Sequence, residues 1–192
     1  FYKTKKDRLR MADTIHPLFK TRGVPGTHDT NLIKNFFYFV TKKKFKKFSV
    51  PKFSKILDDR LKKKKWFEID KRPEIVIFEG WCVGAKPQAD FLIKNPVNLL
   101  EKYEDKNMIW RKYVNKKLKQ EYKKIFSKID HFIFMKIPNF EMAFRWRLLQ
   151  EIKLKKRSIF SKKTMSHDEI KRFIMFYQRI TLQMIKDLSK SA

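Results

Sequence analysis

Residues 72–80, "RPEIVIFEG", set four consecutive apolar residues, Ile75 to Phe78, between Pro73 and Gly80. Three of the four are β-branched and none alternates with a polar residue. Such a run predicts a strand that begins after Pro73, ends at Gly80 and is buried on both faces, the pattern of a parallel sheet. A second run of this kind is "HFIFMKI" (131–137).

Helical periodicity fills the intervals. Leu32, Ile33, Phe36, Phe37 and Val40 share one face, which predicts an amphipathic helix over residues 28–41 after the turn "TRGVPGTHD" (21–29), with Thr27 as its N-cap. Residues 107–128, with Ile109, Tyr113, Leu118, Tyr122, Ile125 and Phe126, read as one long helix. Phe140, Phe144, Leu148 and Ile152 repeat every four residues, with Pro138 at the start of that helix. Ser166 and Glu169 form a capping box for a last helix faced by Ile170, Phe173, Ile174, Tyr177, Thr181, Met184, Ile185 and Leu188. Residues 47–72 read as a polar loop. Buried strands alternating with helices predict an α/β chain with a parallel sheet. Two strands are too few for a doubly wound sheet. No linker or internal repeat divides residues 1–192, so one domain is expected.

The formal charge of +28 raises nucleic acid as a partner, because basic side chains that neutralise phosphates release counterions. The excess is carried by 37 Lys against 11 Arg and occupies surface-type positions such as "TKKKFKKFS" (41–49) and "LKKKKW" (61–66). That pattern fits a drift in composition better than a recognition surface. No RNP-like, zinc-spaced or helix-turn-helix pattern accompanies it. A basic nucleic-acid-binding module and a non-catalytic scaffold are the alternative readings. One cysteine, Cys82, excludes an internal disulfide and any CxxC motif, and the four His show no metal-ligand spacing. The longest apolar run, residues 36–40, is far short of a membrane span, and no charged-then-apolar leader is seen. A cytoplasmic protein without specific nucleic-acid or membrane partners is expected.

Ligands of open parallel sheets sit beyond the carboxyl ends of the strands, which puts Glu79 at the functional edge. A carboxylate there either serves Mg²⁺ or accepts hydrogen bonds from the following loop, and the residues alone do not decide between these. Arg145 and Arg147, two apart in "FRWRLLQE" (144–151), lie on different faces of their helix. Arg111, Arg172 and Arg179 read equally as surface charges and as anion ligands. Asp58, Asp59 and Arg60 have the form of a solvated charge cluster. Cys82 reads as a small packed residue.

Taken in order, "FYKTKKDR" (1–8), "HPLFKTRGVPGTHD" (16–29), "PKFSKILDDR" (51–60), "IFEGWCVGAKPQ" (77–88), "NPVNLLEKYED" (95–105), "WRKYVNKKL" (110–118), "FRWRLLQE" (144–151) and "MSHDEIKRFIMFYQRIT" (165–181) resemble the P-loop kinases similar to D-glycerate 3-kinase, in particular their bacterial branch. The resemblance implies a P-loop NTPase-type three-layer parallel sheet with helices. It implies ATP- and Mg²⁺-dependent phosphorylation of a small hydroxylated substrate, glycerate or a relative. It makes Glu79 the carboxylate facing nucleotide phosphates and magnesium, and puts Arg145 and Arg147 on a lid-like helix, with Arg147 toward the nucleotide. Arg22, His28, Asp29, Lys55 and Arg60 fall on the substrate side.

The motif G-x-x-x-x-G-K-[ST] of such kinases is nowhere in the 192 residues. An acidic pair before "FY" and a strand after "DLSKSA" are likewise missing from the pattern, and Ser54 stands where the family has Asp. The expectation is therefore a sheet lacking its P-loop strand and a C-terminal strand, in a truncated chain inactive on its own.

Overall fold

A computed structural model describes residues 1–157 and 164–188. Helix α1 (Lys5–Thr14) starts at Thr4, whose hydroxyl oxygen accepts the Asp7 N–H at 3.1 Å. A 3₁₀ turn at Pro17–Lys20 leads into the loop of residues 21–29. Helix α2 (Thr30–Thr41) then buries Ile33, Phe37 and Val40, as its periodicity predicts. Its N-cap is Asp29, which accepts the Leu32 N–H at 3.2 Å, and not the expected Thr27. Thr27 is fully buried instead, where its hydroxyl closes the loop by accepting the Gly23 N–H and donating to the Val24 carbonyl.

Residues 47–72 are not the expected plain loop. They fold into two antiparallel ribbons, β1 (Phe48–Val50) with β4 (Phe67–Ile69) and β2 (Phe53–Ser54) with β3 (Asp59–Arg60). Strands of two or three residues are too short to show a period of two, so the sequence carries no signal for them.

Helices α3 (Asp90–Lys94) and α4 (Leu99–Tyr103) are short. Helix α5 (Ile109–Lys117) passes through a π turn at Leu118–Tyr122 into α6 (Lys123–Phe126), which realises the predicted long helix with one interruption. Helix α7 (Glu141–Arg157) follows Asn139, whose side chain accepts the Met142 N–H, so Pro138 lies outside the helix. Its expected apolar face is only partly covered. Trp146 is half exposed, and Glu151 is the buried residue of the helix. Helix α8 (His167–Leu188) has the predicted capping box, with Ser166 N–H donating to Glu169 at 2.7 Å and Glu169 N–H donating to Ser166 Oγ at 3.2 Å.

The two runs expected as buried strands are the main departure. Residues 75–80 and 132–137 carry no ladder hydrogen bonds, and all strand pairing among the described residues is antiparallel. Each segment is held by one inward aromatic. Phe78 packs against Ile33, Phe37 and Ile125, and Phe134 packs against the main core. The alternate residues face outward, with Ile75 81%, Ile77 86%, Ile133 86% and Met135 86% exposed. An extended segment is buried on both faces only when neighbouring strands flank it. No other strand of the described residues does so, and residues 189–192, where the sequence pattern ends, lie outside the described residues.

The core lies where α5 and α8 cross the loop after the 3₁₀ turn, with Phe19, Val24, Trp110, Leu118, Phe176 and Ile180 among its members.

Candidate active site

The loop of residues 21–29 is buried from Gly23 to Thr27 and is positioned from three sides. Gly23 turns the chain with φ at 111°, a left-handed conformation suited to glycine. A Cβ there would meet Tyr177 Oη at 3.0 Å. Tyr177 of α8 donates its hydroxyl to the Arg22 carbonyl at 3.0 Å, and Trp81 Nε1 donates to the Gly23 carbonyl at 2.8 Å. The indole packs edge-on against Tyr177, with ring centroids 4.9 Å apart. Trp81 follows Glu79 by two residues, so this contact draws the end of the extended segment toward the loop.

Arg22 sits over the rings of Phe53 and Tyr2, at 5.6 and 5.9 Å, and pairs with Asp58. The same carboxylate accepts from Arg8 Nη2 at 2.8 Å. Asp58 is thus no solvated charge. It holds φ at 52°, a left-handed conformation that Asp tolerates, and is gripped by two guanidinium groups. Asp29 and Arg60 pair with each other at 3.0 Å, and Arg60 also donates to the Tyr2 carbonyl. Both are thereby committed to holding the chain around Tyr2. Lys55 is exposed at the tip of the β2–β3 ribbon.

His28 stacks on Tyr2, with centroids 5.2 Å apart, and its Nδ1 is 2.7 Å from Tyr122 Oη. Burial of the ring, joined by nearby positive charge, lowers its pKa to about 3. Burial likewise raises the phenols of Tyr2, Tyr122 and Tyr177, so all three stay protonated donors. Arg22 and Arg147 oppose the rise at Tyr177, whereas the negative charge of Glu79 adds to the rise at Tyr2. Arg22 lies over the Tyr2 ring, Arg147 and Tyr177 line one cavity, and Glu79 stands two residues before Trp81, which packs on Tyr177.

Arg147 lies over Phe173 at 5.2 Å, is paired with Glu151 and Gln150, and keeps a buried Nε with no hydrogen-bond partner among the described residues. It borders an open cavity of about 430 Å³ lined by Trp81, Phe134, Ile137, Trp146 and Tyr177. Arg145 faces away, exposed and paired with Glu141 at 2.7 Å. Glu79 is exposed at the end of its segment with no hydrogen-bond or ion-pair partner among the described residues. No cluster of three His, Cys, Asp or Glu residues surrounds it among them. A lone open carboxylate fits Mg²⁺, which is commonly held by one or two carboxylates together with phosphates and water.

The remaining arginines serve structure. Arg111 is buried among the Asp105 carboxylate and the carbonyls of Ile93, Lys94, Glu101 and Asp105. Arg179 is buried on Glu101, and Arg172 is exposed on Glu104. Cys82 is buried, with its thiol pushed up to about 12, as a packed residue should be.

No protein-family model matches the chain. Over 185 residues it is 30% identical to the protein named uncharacterized kinase mug58 of Schizosaccharomyces pombe, covering 92% of this chain and 64% of that protein. Over the same number of residues it is 28% identical to the chloroplastic D-glycerate 3-kinase of Arabidopsis thaliana, covering 92% of this chain and 38% of that one. Over most of its length this chain is similar to kinases of the glycerate-kinase-like kind. It spans less than two thirds of the length of either of these curated relatives.

Solved structures agree on the fold of this chain. The D-glycerate 3-kinase from Cryptococcus neoformans superposes with a TM-score of 0.72 at 24% identity, over 96% of this chain and 68% of that one. The structure of YGR205w protein gives 0.68 at 26% identity, over 92% and 61%. No helix of the described residues is long and apolar enough to cross a membrane.

Tyr2, Asp58, Tyr122 and Tyr177 were not among the residues the sequence nominated. Tyr122 and Tyr177 read there as members of helical apolar stripes, and Asp58 as part of a charge run. The hydrogen-bond partners of Asp58, Tyr122 and Tyr177 lie 36 to 155 positions away, beyond any local pattern.

Proposed function

We propose that the protein is an ATP-dependent, Mg²⁺-dependent kinase that phosphorylates a hydroxyl of a small hydroxy acid, glycerate or a relative. The observation that carries this reading is the placing of Arg22 over Tyr2, of Arg147 beside Tyr177 in one cavity and of Glu79 just before Trp81, in a chain similar to kinases of the glycerate-kinase-like kind. In phosphoryl transfer the acceptor oxygen bonds to the γ-phosphorus while the bond to the bridging β–γ oxygen breaks, releasing ADP. Catalysis then consists mainly of positioning and charge neutralisation. Arg147 on α7 supplies a guanidinium for the phosphoryl oxygens, and Arg22 supplies one for an anionic acceptor. Glu79 serves Mg²⁺, which would offset the phosphate charge when bound. Arg145, paired outward, lies outside this set.

The reading includes a phosphate-binding loop contributed by residues outside these 192. Its support is the lack of a G-x-x-x-x-G-K-[ST] motif in the chain and the 64% of a relative's length that the chain spans. The two unpaired segments, with their outward Ile75, Ile77, Ile133 and Met135, are suited to flank the strand leading into such a loop. On this reading the 192 residues alone neither hold ATP tightly nor transfer phosphate. A cytoplasmic location belongs to the same reading, on the sequence grounds given above.

The test is ATP-dependent formation of a phosphorylated product by the full-length protein, with a panel of hydroxy acids, sugars and nucleosides as acceptors. Phosphorylation of a hydroxy acid supports the proposal. Turnover of none of the panel by a folded, nucleotide-binding protein refutes it.

A further inference from the structure

Tyr122 Oη lies between two loop groups. It accepts the Gly26 N–H at 2.9 Å and is 2.7 Å from His28 Nδ1. A hydroxyl has one proton to give, and burial keeps this phenol protonated. No other acceptor for that proton exists among the described residues, and Tyr122 is only 2% exposed. If Nδ1 carried the imidazole proton, both N–H groups would donate to Oη, and the phenolic proton would be buried without a partner. That arrangement is costly. The phenol therefore donates to Nδ1, and the proton of the neutral imidazole is on Nε2.

The ring is fixed on both sides. Tyr2 stacks on it at 5.2 Å, and Tyr122 meets it edge-on at 5.8 Å. Tyr122 reaches this place from the π turn, where an extra residue rotates the side chains that follow relative to a regular α-helix, and such turns are frequent at functional sites. The preceding residue makes a parallel contact, with Glu121 accepting the Thr30 hydroxyl proton at 2.6 Å. Two successive residues of the turn thus grip residues 26–30. Nε2 has no hydrogen-bond partner among the described residues, and Arg22 rests on the same Tyr2 ring.

We propose that Tyr122 is a positioning residue that holds His28 in the Nε2–H tautomer, so that His28 is a neutral hydrogen-bond donor to an oxygen of the phosphoryl acceptor. This rests on the kinase reading for the identity of the acceptor, and on the geometry alone for the tautomer. It removes His28 as a candidate base, because the basic nitrogen is occupied by the phenol.

The tautomer is read by nitrogen NMR of the full-length protein labelled at histidine, with His28→Gln assigning the signal. The expected spectrum shows Nδ1 unprotonated and Nε2 protonated at neutral pH, and Tyr122→Phe turns this into a mixture of tautomers. In acceptor kinetics with glycerate, Tyr122→Phe and His28→Ala each lower kcat/KM about tenfold and leave the KM for ATP within about twofold. His28→Gln keeps an N–H near the ε position and retains most of the activity, whereas His28→Asn does not. A proton on Nδ1, or an imidazolium at neutral pH, overturns the assignment whatever the activity. Equal loss in the Gln and Ala variants overturns the donor role. The expected tautomer in a protein that phosphorylates no hydroxy acid would overturn the kinase reading and, with it, the donation to an acceptor.

Discussion

Arg8 and Asp58 meet at 2.8 Å although 50 residues separate them, and the guanidinium is almost fully buried at 1% exposure. The carboxylate that neutralises it also holds Arg22, so the stability of α1 and the placing of a candidate substrate-binding residue depend on the same group. Truncating one partner of a buried ion pair leaves an uncompensated charge, which costs about 3–5 kcal/mol. Asp58→Ala is expected to lower the unfolding free energy by that amount in denaturant titrations. Asp13→Ala, on the exposed side of α1, should stay within about 0.5 kcal/mol. Similar effects from the two would contradict the assignment.

The two arginines of α7 should separate in kinetics. Arg147 borders the cavity and acts on Tyr177, whereas Arg145 is exposed on Glu141. Arginines that stabilise phosphoryl-transfer charge contribute about 10³–10⁵ in turnover in other enzymes. Arg147→Ala should therefore lower kcat of the full-length protein by at least about a hundredfold and Arg145→Ala by less than about threefold. Comparable losses would mean that α7 presents its other face to the nucleotide.

Glu79 is exposed and has no partner among the described residues, so its removal should cost little stability. If the carboxylate acts through Mg²⁺, Glu79→Gln lowers turnover more than nucleotide affinity and raises the Mg²⁺ concentration needed for half-maximal rate. A variant with wild-type turnover across a Mg²⁺ titration would remove Glu79 from the mechanism.

His28 should make the fold acid-sensitive. Its pKa is about 3 in the folded chain, against an ordinary value of 6.5. Above 6.5 the ring is neutral folded or unfolded and contributes no pH dependence. As pH falls below 6.5 the unfolded chain takes up the proton and the folded chain does not. Stability therefore drops, by up to about 1.4 kcal/mol per pH unit, until the folded ring protonates near 3. Denaturation midpoints between pH 7 and 4 should fall less steeply for His28→Gln than for the wild type; parallel profiles would be inconsistent with a buried neutral ring.

The outward residues of the unpaired segments should dominate the behaviour of the 192-residue chain in isolation. Ile77 and Met135 are each 86% exposed on backbone that no strand of the described residues covers, which is a template for association. The isolated chain is expected to self-associate, and Ile77→Lys combined with Met135→Lys should shift it toward monomer in sedimentation. No change in sedimentation would indicate that another surface drives association.

Local chemistry was legible wherever it acts over a few residues. The capping box at Ser166 and Glu169, the stripe of α2 and the long helix through residues 109–126 follow from side chains three and four positions apart. Thr27 failed as a cap because its hydroxyl had nearer partners in the folded loop, and Pro138 failed as a helix start because Asn139 caps α7 instead. The ribbons of residues 48–69 were invisible because each strand is shorter than the period that would reveal it.

By itself the sequence determined the order of the long helices, the family resemblance and the charged residues nominated for a site. Tertiary structure decided which of them lie together. It turned Arg145 outward and Arg147 toward Tyr177, committed Asp29 and Arg60 to each other, and set Tyr122 on His28 across 94 positions. It also left the "IVIF" run exposed, because burial on both faces belongs to a pair of flanking strands and not to the run. Periodicity records which way a residue points along its own element, whereas pairing depends on what the rest of the chain brings within reach.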